Sequence, residues 1–253
     1  MLDLAWLLPI AFGVGALIGA VGIGGVLLIP ALEAFAALPI KAAMATALFT
    51  FTFTGIVGTL LFQRRGSIDW PVARPVLLAA VVFGFFGAWA NSLARPTALA
   101  LILAGIIIFA GVYTLATLRG LKRAVFDNRP HAKRVVLLAV GAIAGFGSGL
   151  TGVGGPALSV PLMVLLGFPA LVSIGVSQVI QIVAAISGTL GNLRYGTIDF
   201  GVGAIVTVAE LAGVLVGVRI AHAVDASVLR KSVAVLCLVV GAALVWRELG
   251  GLR

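Results

Sequence analysis

Polar side chains recurring inside long apolar runs are where this sequence could do chemistry. Ser173, Ser177 and Gln181 stand four apart, Gln178 flanks them, and Gly188 and Asn192 continue the same helical face. Thr46, Thr50 and Thr54 repeat that spacing in an earlier run. Polar groups in hydrocarbon are costly unless paired, so two such stripes facing one cavity would hydrogen-bond a polar solute. The plainer reading is Ser/Thr bonding back to their own helix. It suits the threonines better than Gln178 and Gln181, which fall mid-helix. Glu210 lies near the middle of the run Phe200–Ala221, and Glu33 lies in another. A carboxyl there is protonated, paired or used to carry a proton. Glu210 is the proton-coupling candidate, with a neutral or water-exposed side chain as the alternative.

Two glycine-rich stretches offer a different chemistry. Gly15, Gly19, Gly22, Gly24 and Gly25 form one, and Gly145, Gly147, Gly149, Gly152, Gly154 and Gly155 the other. The earlier glycines of each set lie on one helix face and permit close helix approach. The later ones suit a turn within the membrane. Such a turn frees backbone N–H groups and presents the N-terminus of the next short helix, and together these attract an anion without lysine or arginine. A kink packed against its neighbours is the structural alternative, and finding two breaks at matching positions weighs against it.

The breaks match because the chain repeats itself at one constant offset. Gly22-Ile23-Gly24-Gly25 recurs as Gly152-Val153-Gly154-Gly155, Pro39 as Pro169, and Gly58-Thr59-Leu60 as Gly188-Thr189-Leu190. Arg64-x-Gly66-x-Ile68-Asp69 recurs as Arg194-x-Gly196-x-Ile198-Asp199. In these turns the glycine permits a tight reversal and the aspartate can cap the following helix. A gate salt bridge formed by Arg64, Asp69, Arg194 and Asp199 is the alternative. Duplicated apolar halves, each interrupted at a corresponding glycine-rich point, point to a secondary transporter whose site lies between the repeats.

Composition sets the frame for these elements. Of 253 residues 62% are hydrophobic and 10% charged, and the mean hydropathy is +1.24. A soluble domain carries about 25% charged residues, so this chain is read as an integral membrane protein. Its runs exceed the roughly ten-residue strands of a membrane barrel, which leaves helices. The expected fold is an all-α polytopic bundle of two repeats, residues 1–120 and 135–253, joined by a linker at 121–134. Each repeat holds about four full spans plus a short piece after its break. That makes eight spans, or ten if the short pieces cross. Crossing pieces make the repeats inverted, and re-entrant ones make them parallel. Lysine and arginine favour neither wiring, but both place the central loop in the cytoplasm. The N-terminus lacks the basic start of a signal peptide, so the first helix is expected to be retained.

Other functions find little support. His131 and His222 stand without metal-ligand spacing, and no phosphate loop, nucleophile elbow or catalytic triad is present. The expectation is no enzyme, no cofactor and no metal. The net charge of +9 suits cytoplasmic loops against anionic lipid; nucleic acid is not an expected partner. The single Cys237 cannot form an intrachain disulfide. Small apolar faces leave a homodimer open.

The paired glycine-rich helices, the Gly-Thr-Leu pairs and the Arg-x-Gly-x-Ile-Asp turns resemble the sulfite exporter TauE/SafE family of bacterial membrane permeases. The stretches carrying the resemblance are Gly22–Pro39 with Gly58–Asp69, and Gly152–Pro169 with Gly188–Asp199. The resemblance implies a multi-pass protein of the inner membrane that transports small sulfur-containing anions such as sulfite and sulfonates, or related organic acids. One departure is visible: Gly154-Gly155-Pro156 stands opposite Gly24-Gly25-Val26, so the two half-sites are not equivalent. From the residues themselves, Gly24, Gly25, Gly154 and Gly155 are expected to supply backbone amides to a small anion. Thr50, Ser177, Gln178 and Gln181 would surround it. Alternating access is the expected mechanism; a passive anion channel and a non-transporting membrane scaffold are the alternatives.

Overall fold

The computed structural model describes residues 3–22, 24–116, 130–223 and 226–250, and among them every regular element is helical. Both long apolar segments break at their glycines. Helix α1 (Leu4–Val21) stops at Gly22, which takes φ +81° and returns its N–H to the Leu17 and Ile18 carbonyls. That left-handed stop penalises any residue with a Cβ. A 3-10 turn (Gly24–Leu27) and the short α2 (Leu28–Phe35) follow. Helix α6 (Pro130–Thr151) stops likewise at Gly152, with φ +71° there and +77° at Gly154, before the short α7 (Pro156–Leu165). Pro156 opens α7, where a missing N–H breaks no helical bond.

Each short piece carries the chain back to the end of the bundle it came from. The Asp3 N–H donates to the Phe35 carbonyl at 2.7 Å, tying the start of α1 to the end of α2. Gly24 meanwhile lies against Val14, Leu17 and Ile18. In the second half the Lys133 ammonium, near the start of α6, sits 5.5 Å from the centre of the Phe168 ring, just beyond α7. Neither segment simply prolongs its helix; both are hairpins.

The remaining helices are α3 (Ile40–Arg64), α4 (Trp70–Leu93), α5 (Pro96–Ala116), α8 (Ala170–Tyr195), α9 (Phe200–Ala223) and α10 (Ala226–Gly250). Six helices, α3, α4, α5, α6, α8 and α9, are long and apolar enough to cross a membrane. The described apolar stretches of α1 and α10, Ala5–Ala20 and Cys237–Arg247, are shorter. At the polar turns Asp69 accepts from the Val72 N–H at 3.2 Å and Asp199 from the Val202 N–H at 2.9 Å, capping α4 and α9. Helix α6 starts at Pro130, inside the 121–134 linker expected from the sequence; residues 121–129 of that linker lie outside the described residues.

Glycines decide which helices touch. Gly15 and Gly19 on α1 lie against the backbone of Glu210 and Val214 on α9, while Gly213 and Gly217 on α9 lie against Phe12 and Ala16 on α1. Gly141, Gly145 and Gly149 on α6 lie in the same way against Val76, Ala80 and Gly84 on α4. In both pairs residue numbers rise together, so the helices are parallel, and each pair joins one half of the chain to the other. In the centre α3 and α8 run antiparallel, with Gly55 against Ile182 and Gly188 against Leu48. Lipid tails are as apolar as the side chains, so close backbone approach, more than apolar burial, holds such contacts together.

Candidate functional site

The two polar stripes meet where α3 crosses α8. Thr46, Thr50, Thr54, Ser173, Ser177, Gln178 and Gln181 are all buried. Gln181 spans the crossing: its Nε2 donates to the Phe51 carbonyl at 3.2 Å and to Thr54 Oγ1 at 2.7 Å. A carbonyl can only accept, so this orientation of the amide is fixed by chemistry. Both Gln181 N–H groups are thus engaged, and Gln181 acts as a strut between the halves of the chain, not as a free donor.

Gln178, one helical turn away, is different. Its Nε2 and Oε1 are both buried without a hydrogen-bond partner. The side chain occupies a notch left by Gly58, where a Cβ would collide with Oε1. Its counterpart in the first half is Leu48, which fills the matching notch at Gly188. The same pocket therefore recurs, apolar in one copy and carrying an unsatisfied amide in the other. An unpaired buried amide costs about 1–3 kcal/mol.

The glycine breaks face each other beside this crossing. The seam between them is closed, with no room for a water molecule, and is lined by Gly22 and Gly25 from the first break and by Val153, Pro156 and Ala157 from the second, with Ile18, Phe51 and Gln181. A Cβ on Gly25 would lie 2.9 Å from the Phe51 ring, and one on Gly154 3.1 Å from its other edge. Phe51 is thus wedged between the breaks. Among the described residues, the N–H groups of Val153, Gly154 and Gly155 make no hydrogen bond. They lie at the start of α7, where the helix dipole also favours negative charge.

The other expected site residues separate by role. Gly24 packs within its own hairpin, and Gly155 packs against Ile180 and the Gln181 backbone, so both serve close approach. Ser177 donates to the Ile174 carbonyl at 2.7 Å and Thr50 to the Ala47 carbonyl at 2.9 Å, each bonding back to its own helix. Glu210 is fully buried on α9 beside the Thr50 hydroxyl, which donates to its own helix, and neither carboxyl oxygen makes a well-formed hydrogen bond. Glu33 instead forms an ion pair with Arg247 at 3.3 Å. Among the described residues, Arg64 and Arg194 form no ion pair with Asp69 or Asp199; both arginines are exposed at helix ends. No cluster of histidine, cysteine, aspartate or glutamate among the described residues could hold a metal.

Three contributors escaped the sequence reading. Phe51 carries no signal in the sequence beyond its proximity to Thr50. Arg65, next to the arginine singled out, reaches the Val218 carbonyl at 3.1 Å. Asn91 Nδ2 donates to the Leu150 carbonyl at 2.6 Å, just before the second break.

The chain is similar to known proteins named as membrane transporters. Over 229 residues the chain is 28% identical to the probable membrane transporter protein YdhB of Bacillus subtilis, covering 88% of this chain and 93% of that protein. It is 25% identical over 203 residues to the probable membrane transporter protein MJ0441 of Methanocaldococcus jannaschii, covering 78% of this chain and 75% of that protein. A third relative, the probable membrane transporter protein YunE of Bacillus subtilis, is 23% identical over 253 residues, covering 91% and 90%. No solved structure matches the chain significantly. The family model described as sulfite exporter TauE/SafE matches residues 7–244, and the chain belongs to that family.

Proposed function

We propose that this multi-pass membrane protein is a secondary transporter that moves a small sulfur-containing or organic anion across the bacterial inner membrane by alternating access. The observation that carries the reading is the seam between the two breaks. Free N–H groups at Val153, Gly154 and Gly155, the Gln181 strut and the unpaired Gln178 amide lie around one helix crossing. Backbone amides and one neutral side-chain amide bind an anion weakly enough to release it.

The path of the chain supports alternating access. With the short pieces counted as passes, each half makes five, and the second half starts at the opposite end of the bundle from the first. The parallel α1–α9 and α4–α6 pairs and the antiparallel α3–α8 crossing fit this wiring, and so does the Glu33–Arg247 pair at the end shared by α2 and α10. The halves are then inverted repeats, a plan that lets one arrangement open to either side by exchanging the conformations of its halves. In that wiring the loops with Arg64, Arg65, Arg74, Arg219 and the central basic linker face the cytoplasm. Glu210 is the proposed proton carrier, because a lone carboxyl buried in a span is costly without a task.

The test is uptake by purified protein in liposomes, with sulfite and small organic anions, with and without an imposed pH gradient. Accumulation above equilibrium that Gly154→Val abolishes is the expected result. Gly154 has φ +77°, which a β-branched residue adopts only under strain. Equilibration without accumulation would identify a channel.

A further inference from the structure

We infer that Phe51 determines specificity by forming the apolar half of the substrate seat, so that the protein prefers anions carrying a short hydrocarbon group over bare inorganic oxyanions. The inference rests on the transporter reading above. Phe51 and Gln181 occupy corresponding positions of the two halves, related by the same offset as the glycine breaks. Both line the seam between the breaks. In a fully symmetric seat the two positions would carry the same side chain. Here one wall is an amide and the other an aromatic ring.

The remaining lining sharpens the asymmetry. Ile18, Val153, Pro156 and Ala157 present apolar side chains, Gly22 and Gly25 present none, and Gln181 is the one polar side chain in the set. The Gln181 donors are already spent on Phe51 and Thr54. A bare oxyanion has acceptor oxygens on every side, so here it would find donors at the second break and at Gln178, one helical turn beyond the seam lining, with hydrocarbon over its remaining sides. Leaving those oxygens desolvated and unpaired is costly. An anion with one charged end and one small apolar end matches both walls: the charged end toward the Val153–Gly155 amides, the hydrocarbon end against the ring. The ring is buried, held between Gly25 and Gly154, so its position is set by both breaks at once. Any substrate entering the seam must meet it.

The experiment measures proteoliposome flux of sulfite, acetate, propionate and ethanesulfonate in the parent protein and in Phe51→Gln and Phe51→Leu. Phe51→Gln makes the two corresponding positions identical, while Phe51→Leu keeps an apolar wall and controls for folding. The parent is expected to move propionate and ethanesulfonate faster than sulfite. The preference should fall about tenfold in Phe51→Gln, the scale of one small apolar contact, and should survive in Phe51→Leu. A parent that moves sulfite faster than either larger anion overturns the inference and leaves the transporter reading standing. An unchanged preference in Phe51→Gln with measurable flux overturns it too. Should Phe51→Gln fail to fold, a Phe51→Leu variant that favours sulfite would overturn it. Absence of flux for every anion in the folded parent would overturn both readings.

Discussion

Helix α1 meets α9 and helix α6 meets α4 through the same device, yet only one of the two seams carries a charge-bearing group. Gly15 lies on the backbone of Glu210, and Gly145, its counterpart in the second half, lies on the backbone of Ala80. The backbone approach is common to both seams, and what projects beyond it is not. The difference teaches that packing in this protein is duplicated whereas chemistry is not. A carboxyl in one seam, an amide in one notch and a ring at one wall all lack a mate in the other half. On the proposed alternating-access reading, equivalent halves exchange conformations, whereas the substrate and the proposed coupling proton are single objects that gain nothing from being bound twice.

Changes to the shared device should hurt both seams alike and most severely. Gly15→Leu and Gly145→Leu each place a side chain where a carbonyl already stands. Overpacking of this kind costs about 1–3 kcal/mol even when neighbours yield, and backbone yields little. Both variants are expected to lose most folded protein, read as monodisperse yield and thermal midpoint in detergent. A large loss in one with near-normal stability in the other would show that the two seams are not equivalent.

Changes to the unshared groups should leave the fold and strike transport. Glu210→Gln keeps the shape of a fully buried, unpartnered side chain and removes its proton exchange. The expected result is anion exchange close to the parent level with no response to an imposed pH gradient. Ala80→Glu, which places a carboxyl in the other seam, should not restore that response in the Glu210→Gln background. Retained gradient response in Glu210→Gln would remove this residue from the mechanism.

Gln178→Leu installs the residue that fills the corresponding notch at position 48. Removing a buried amide with two unmet hydrogen-bonding atoms should raise stability by about 1 kcal/mol while lowering anion flux about tenfold, as the loss of one neutral hydrogen bond implies. A stabilised variant with parental flux would make Gln178 a packing residue.

The same division explains what the sequence discloses. Glycines at a constant offset mark breaks and close contacts, because glycine meets a positive φ such as that at Gly22, Gly152 and Gly154 without the steric cost of a Cβ. So the hairpins, the caps at Asp69 and Asp199 and the polar crossing of α3 and α8 were legible. The direction of the short pieces was not. It is settled by contacts between residues far apart in sequence, such as Asp3 with Phe35, and loop charge is indifferent to it. Ser177 shares a stripe with Gln181 and Thr50 lies in the facing stripe on α3, but spacing alone cannot separate a hydroxyl bonded back to its own helix from an amide reaching across to another. Phe51 was invisible for the opposite reason. An aromatic ring in an apolar run carries no signal until the two breaks are seen on either side of it.

The smallest effect is expected at the Glu33–Arg247 pair, which ties the end of α2 to the end of α10 and has no counterpart at Met163 in the second hairpin. The Arg247 side chain is 51% exposed, and an exposed pair of this kind contributes roughly 0.2–1 kcal/mol. Arg247→Ala should therefore shift the thermal midpoint by a degree or two at most, about the shift expected of a protein this size. It should leave anion preference unchanged, because the pair lies at the bundle end and the breaks lie within it. If the first hairpin must part from α10 each time the seam opens, removing the tie would speed turnover without altering selectivity. The charge-reversed double variant Glu33→Arg with Arg247→Glu should then return turnover to the parental rate. Equal rates in all three proteins would mean that the first hairpin stays docked on α10 throughout the cycle, and that the moving parts lie among α3, α8 and the second hairpin.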